Sequence, residues 1–319
     1  MEFLKEVSGK QLNSKVLKKI NDAIRNSSAI QPNGKIKYNN TCSVTQPKDN
    51  CITYAKSLKF LKKSNYNGEN CLILIPQDFK QNQEFINYQK KFHNAIFIYV
   101  DNPLMEFLDI HDYFHSHKLP HQWLHKPKDM GHGIYLGENV EIGENTVTYP
   151  GTVIYDNVKI GNNCIIHSNC SIGADGFRFL RMDDGTLRKM IHIANPGVII
   201  EDDVEIFCNT NIARGIFDPT LIGKGTKVDA LVHVAHNVHT GENNLIIADT
   251  ALGGSVKIGE NNWIGVGSTI SNGVIIGNNN WIGLGAKVAY DVGDNQRISG
   301  FYAVAHKNWK RWWKGQFGD

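Results

Sequence analysis

From Leu136 to Val288 an aliphatic residue keeps returning at every sixth position. The first run holds Leu136, Ile142, Thr148, Ile154, Ile160, Ile166 and Ile172. The longest holds Ile222, Val228, Val234, Thr240, Ile246, Leu252, Ile258, Ile264, Ile270, Ile276, Ile282 and Val288. A helix wants an apolar period near 3.6 and a strand wants 2, so a period of six matches neither as a simple element. It predicts a solenoid whose coil has three flat faces, each made of a short strand and a corner. Each anchor points inward, and stacked coils bury one continuous apolar column. Within the longest run, residues 18 apart should occupy the same place on consecutive coils.

Two interruptions break the period. Residues 173–197, GADGFRFLRMDDGTLRKMIHIANPG, carry few anchors, and the repeat resumes at Ile200, Ile206 and Ile212. ARGIFDPTL then adds four residues before Ile222. Solenoids accept insertions at corners, and such loops often cover binding sites. The longer insertion, with DGFRF and the basic pair Arg188 and Lys189, is expected either to close over a ligand or neighbouring chain, or to be purely structural.

Residues 1–120 lack the period. CLILIPQDF and AIFIYVDNP read as strands ended by turn signals. QNQEFINYQKKF and PLMEFLDIHDYFHS read as helices, and LNSKVLKKINDAI as a short helix or exposed segment. This order predicts a small α/β domain, followed by a linker over 121–134 and the solenoid over 135–300. The His-rich stretch around the linker has irregular spacing and no paired Cys or Asp, which argues against a zinc site. The tail 301–319 is basic and aromatic, with Trp309, Trp312 and Trp313 on one side of a short helix. It is expected to cap the column, or to dock an anionic carrier or cofactor. A membrane anchor is the weaker alternative for so brief a segment.

Composition narrows the function classes. A formal net charge of +3 with 20% charged residues lacks the basic bias of a nucleic-acid binder. The six Cys form no close CxxC pair, and Cys164 and Cys170 fall at small inward positions of the repeat, so they read as buried thiols. The polar start MEFLKEVSGKQL is unlike a signal peptide, and no apolar run is long enough to span a bilayer. A cytoplasmic protein without stable membrane insertion is expected. The abundance of Asn and Lys reads as coding bias.

The chemistry should lie in VDALVHVAHNVHTGENN, where His233, His236 and His239 fall close together. Spacing along flat faces spreads the three apart, so no metal site is expected. His236 lies two places past the anchor Val234, where its ring can leave the column. An imidazole titrates near cellular pH and suits a general base. Asp229, seven residues earlier, is a candidate to set its tautomer. Gly254, 18 residues after His236 in the pair Gly253–Gly254, would expose a backbone N–H beside the ring on the next coil. Acyl transfer needs such a donor for its oxyanion. The alternative is that both glycines serve a tight corner.

These repeats, with the core HVAHNV and the stretches IGADGFRF and VIIEDDVEIFCNTNIARGIFDPTLIGKGTKVD, resemble the left-handed β-helix acyltransferases. Within them the similarity is strongest to the UDP-3-O-acylglucosamine N-acyltransferases of lipid A synthesis. The resemblance implies a left-handed parallel β-helix behind a nucleotide-binding domain, and a homotrimer. It implies His236 as base, Asp229 as its orienting acid and Gly254 as oxyanion donor. It places Tyr54, Lys59 and Phe60 on the base of a nucleotide-linked amino sugar. Asn237, Gly253 and Trp309 become candidates for the donor thioester, and His233 and His239 for the acceptor. The donor is acyl-CoA or an acyl carrier protein, and no tightly bound cofactor is implied.

The chain departs from that pattern in places. It has Val274 where a second His is common, Ala213 where an acid is common, and a short tail. A second reading therefore keeps the reaction and changes the substrates to an acyl-CoA and a dTDP- or UDP-linked amino-deoxysugar. A third is a solenoid scaffold that binds sugar nucleotides without catalysis; the intact His236, Asp229 and Gly254 argue against it.

Overall fold

The structure, a computed structural model, describes residues 38, 40–62, 64, 71–92, 95–115, 128–299 and 305–317. The chain forms two compact units. One comprises residues 1–124, 177–195 and 215–218, and the other 125–176, 196–214 and 219–319. The segment LNSKVLKKINDAI lies outside the described residues, as do His117, His121 and His125 of the His-rich stretch.

In the first unit β1 (Asn40–Thr41), β2 (Cys51–Tyr54), β3 (Cys71–Pro76) and β4 (Ala95–Val100) form a parallel sheet in chain order. The first five residues of β3 are all buried, as a parallel strand covered on both faces requires. Its side chains alternate between two cores. Leu72 and Leu74 pack with Ile52, Ile98 and Phe107, while Ile73 and Ile75 pack with Leu61, Phe79 and Phe85. Three helices follow strands: α1 (Leu58–Lys62), α2 (Gln83–Tyr88) and α3 (Pro103–His115). Asn82 caps α2 by accepting the Phe85 N–H at 2.9 Å. The strand–helix–strand–helix order expected over 71–115 forms, and β1, β2 and α1 precede it.

The stretch expected as an insertion loop belongs largely to this unit. Phe179–Arg181 and Leu187–Lys189 pair as an antiparallel hairpin, with Gly185 in the left-handed region (φ 84°) at its turn. Met190 and Ile216 join the core around Phe107, with Leu180 and Phe217 packed on it. Arg188 reaches α3: Nη1 donates to Asp109 at 2.8 Å and Nη2 to Asp112 at 2.6 Å. Nη2 also donates to the Leu108 carbonyl at 3.1 Å. Below it His111 is fully buried. Its Nε2–H donates to the Ile191 carbonyl at 2.9 Å, so Nδ1 accepts from the Thr41 hydroxyl at 2.7 Å.

The second unit is the left-handed parallel β-helix. Its three sheets run in the coil order expected from the period, with pairs such as Val228↔Ile246, Ile246↔Ile264 and Ile264↔Ile282 stepping by 18 residues. The anchors from Ile154 to Val288 make one core. Fully burying an Ile or Leu of this kind contributes about 1.5–3 kcal/mol.

The corners explain the composition. Asn139, Asn145, Asn157, Asn163, Asn237, Asn243, Asn261 and Asn279 each lie three residues past an anchor, with φ between 53 and 60°. Among residues with a side chain, Asn and Asp enter this left-handed region most readily. The Asn content is therefore, in good part, a corner requirement and not coding bias.

The glycines that follow anchors have a second cause. A Cβ at Gly137, Gly143, Gly161, Gly259 or Gly277 would collide with the side-chain oxygen of an Asp or Asn on the next coil. That oxygen accepts the N–H of the residue after the glycine. Asp156 takes it from Glu138 at 2.7 Å, Asn162 from Glu144 at 2.8 Å and Asn278 from Glu260 at 2.8 Å. Each such corner is closed by a side chain of the coil that follows.

After the solenoid, α4 (His306–Phe317) carries Trp309, whose side chain lies outside the described set. Trp312 and Trp313 are exposed on it.

Candidate active site

Strand register sets one corner of the helix apart. Asp175 pairs with Arg214, and Ile212 with Val234. Val234 then pairs with Leu252, Leu252 with Ile270, and Ile270 with Val288. Two residues past the anchors from Ile212 onward, the corner reads Arg214, His236, Gly254, Asn272, Tyr290 from coil to coil, and a register shift after Ile172 brings Asp175, three past its anchor, into the same row. Both interruptions of the period leave the solenoid from this corner, after Asp175 and after Arg214.

His236 is half-buried and lies over Gly254 of the next coil. A Cβ on Gly254 would sit 2.7 Å from His236 Cε1, 2.8 Å from Nε2 and 3.3 Å from Nδ1. Only glycine leaves the ring room where it stands. The 18-residue step therefore does place His236 and Gly254 together. His236 Nδ1 lies 3.2 Å from Asn237 Oδ1. An amide oxygen only accepts, so Nδ1 carries a proton in this contact. Asn237 is itself fixed by its left-handed backbone and by its N–H, which donates to the buried Thr220 hydroxyl at 2.9 Å.

Two expected contacts differ. Asp229 accepts the Ala230 N–H at 2.7 Å through Oδ1 and the Ala248 N–H at 3.1 Å through Oδ2. Its carboxylate closes a corner of the helix, and the side chain that sets the tautomer of His236 is Asn237. The Gly254 N–H donates to Asn272 Oδ1 at 2.9 Å, the same corner closure found at Glu138 and Glu260. A Cβ on Gly253 would collide with Asn272, including its backbone N at 2.8 Å, so this glycine is a packing requirement.

The remaining candidates disperse. His233 precedes Val234 on its strand and is exposed, and surrounding protein still pushes its pKa down through burial. His239 Nε2–H donates to the Pro219 carbonyl at 2.9 Å. Val274 is buried in the column, so its position does not face the corner of His236. Among the described residues no group of three or more His, Cys, Asp or Glu is arranged to hold a metal.

In the α/β unit Tyr54 packs against Phe107 with ring centroids 4.8 Å apart and the rings tilted by 40°. Burial pushes its pKa up, against the nearby Arg178 charge. Lys59 and Phe60 are exposed, and the Lys56 ammonium lies 5.8 Å from the Phe60 ring. Among the described residues no ring contact joins Tyr54 to Phe60.

Arg214 and Asn272 were not among the sequence candidates. Both follow from the register that finds Gly254, carried one coil down and one coil up. The Arg214 guanidinium packs over Gly197, where a Cβ would lie 2.9 Å from Nη2. Burial pushes its pKa down, opposed by Asp175 and Asp156.

The bacterial transferase hexapeptide family (six repeats) matches residues 139–174. A UDP-3-O-acylglucosamine N-acyltransferase from Christiangramia forsetii is 53% identical over 140 residues, 44% of this chain and 40% of that protein. UDP-3-O-acylglucosamine N-acyltransferase 2 from Sulfurimonas denitrificans is 39% identical over 140 residues, 44% of each chain. A solved UDP-N-acetylglucosamine acyltransferase from Francisella novicida shares 23% identity at a TM-score of 0.48, over 56% of this chain and 64% of that one. The matches span less than half the length of those two curated relatives. The chain thus carries a hexapeptide-repeat match within its β-helix and is similar over part of its length to the UDP-3-O-acylglucosamine N-acyltransferases.

Proposed function

We propose that the protein is an N-acyltransferase that moves an acyl group from a thioester to the amine of a nucleotide-linked amino sugar. The observation that supports this reading is His236 set over Gly254 on adjacent coils, with its Nδ1 3.2 Å from Asn237 Oδ1. The similarity to UDP-3-O-acylglucosamine N-acyltransferases supports the choice of acceptor. The amine attacks the thioester carbonyl, and a C–N bond forms. His236 Nε2 takes the proton from nitrogen. The tetrahedral intermediate collapses, the C–S bond breaks, and the imidazolium returns the proton to the thiolate. The sum is amide plus thiol.

On the α/β unit, Tyr54, Lys59 and Phe60 are the proposed contacts to the acceptor base. Aromatic faces stack on a base with modest sequence demands. The donor is acyl-CoA or an acyl carrier protein, with Asn237, Gly253 and Trp309 as its proposed contacts. A homotrimer and a cytoplasmic location are part of this proposal. Leu245 and Trp263, exposed on consecutive coils of one sheet, favour association of solenoids. Among the described residues no helix is long and apolar enough to cross a membrane.

A second reading keeps the chemistry and exchanges the substrates for an acyl-CoA and a dTDP- or UDP-linked amino-deoxysugar. Asn272 and the buried Val274, in the coil where a second His is expected, favour it. One experiment tests both: acyl-CoA and acyl-carrier donors crossed with UDP- and dTDP-amino sugars, on the wild type and His236→Ala. Amide formation that survives His236→Ala overturns the base assignment. Exclusive use of a short acyl-CoA overturns the first choice of donor.

A further inference from the structure

We propose that Asn272 is a catalytic residue, and that its Nδ2–H group holds the tetrahedral oxyanion in place of the Gly254 N–H. The inference rests on the acyl-transfer reading above. Four observations carry it.

The first is that the Gly254 N–H is already used. It donates to Asn272 Oδ1 at 2.9 Å, and a backbone amide has one hydrogen to give. The second is that this bond orients the amide. With Oδ1 held against Gly254, Nδ2 is the part of this amide that remains to donate. An amide whose oxygen accepts a hydrogen bond is polarised and donates more strongly through nitrogen.

The third is that the corner series stops here. At equivalent corners the amide nitrogen is consumed by the next coil: Asn162 Nδ2 donates to Asp202 at 3.2 Å, and Asn278 Nδ2 to Asp294 at 3.3 Å. One coil beyond Asn272 the register places Tyr290, which is highly exposed. Asn272 is exposed, and among the described residues its Nδ2 has no hydrogen-bond partner. The fourth is proximity. One glycine, Gly254, has the His236 ring where its Cβ would stand and Asn272 on its nitrogen, so base and donor flank a single residue.

In the reaction, the carbonyl oxygen gains negative charge as the amine adds. Nδ2–H of Asn272 accommodates that charge while His236 Nε2 holds the proton. Collapse re-forms the C=O bond and breaks C–S, and no further reactant is needed.

The test compares Asn272→Ala and Asn272→Asp with the wild type and His236→Ala, by kcat, KM and thermal unfolding. Aspartate closes the equivalent corner elsewhere, at Asp156, Asp202 and Asp294, so Asn272→Asp keeps the fold while it removes the donor and adds a negative charge, and Asn272→Ala is the variant that decides between donors. A lost oxyanion donor costs about 10²–10³ in kcat. Both variants are expected to lose at least about tenfold in kcat with KM little changed, and Asn272→Asp to unfold with the wild type. Asn272→Ala also frees the Gly254 N–H. If that variant keeps its kcat within tenfold or exceeds the wild type, the Gly254 N–H is the donor and the proposal is overturned. A wild type without His236-dependent acyl transfer overturns the activity reading itself, and this control separates the two failures.

Discussion

Gly253 and Gly254 are neighbours with different reasons for being glycine, and replacing each by alanine should separate activity from stability. Neither has a positive φ, so alanine is allowed by the backbone at both positions. At Gly254 the three atoms nearest the new methyl all belong to the His236 ring, the closest at 2.7 and 2.8 Å, where ordinary contact begins near 3.4 Å. The ring is the end of a mobile side chain and must retreat by about 0.7 Å. Misplacing a reacting group by about 1 Å costs on the order of 10²-fold in rate. Gly254→Ala should therefore lose about 10- to 100-fold in kcat, or about 1.4–2.7 kcal/mol of transition-state stabilisation. Its stability should stay level or rise by up to about 1 kcal/mol, because alanine restricts the unfolded chain. At Gly253 the methyl meets backbone: Asn272 N at 2.8 Å and Ile270 O at 2.9 Å. Backbone yields poorly, and overpacking of this kind costs about 1–3 kcal/mol. Steady-state acyl transfer and urea unfolding on the two variants decide the matter. A Gly254→Ala protein with kcat within threefold of wild type and unchanged stability would refute the placement of His236 over this corner.

Three further predictions concern other parts of the molecule. Arg188→Ala should release the 179–189 hairpin from α3 at a cost of about 1–2 kcal/mol, reduced for the partial exposure of Asp109, and limited proteolysis should then cut near Gly185. Because burial lowers the pKa of His233 from 6.5, the unfolded chain binds that proton more readily, so stability is full above pH 6.5 and falls as the pH drops below it; His233→Asn should flatten this part of the stability–pH curve. Cys42, Cys51, Cys71, Cys164 and Cys170 are buried, while Cys208 is partly exposed, so a thiol reagent should label Cys208 in the native protein and all six cysteines only after denaturation. The neighbouring thiols pull Cys42 both ways, Cys51 lowering and Cys71 raising its pKa, and with burial the balance stands at about 12.

The solenoid was legible because its signal is local and repeated. Every anchor from Ile222 to Val288 reports the same environment, and one step of 18 carries His236 onto Gly254. Asn272 was hidden for a different reason. The period tells where a side chain starts, and it is silent on whether an amide folds back over the preceding coil. The same corner closure takes Asp229 away from the imidazole. The hairpin was opaque because its partners, Asp109 and Asp112, lie more than 70 residues upstream, and nothing in LRK announces them. Strands β1 and β2 are too short to show a period, and their burial comes from neighbours in the sheet.

The α/β unit is completed by residues 177–195 and 215–218, which the chain reaches only after it has begun the solenoid. During synthesis, residues 1–124 leave the ribosome with Phe107 and His111 still lacking Met190, Ile191 and Ile216. Folding from the N-terminus, one domain at a time, is the usual order for nascent chains. Here the first unit in sequence must wait for residue 218, by which point the early coils can already have stacked. A truncation that ends at residue 124 would therefore expose an unfinished core, and the smallest piece able to complete that unit carries part of the β-helix with it.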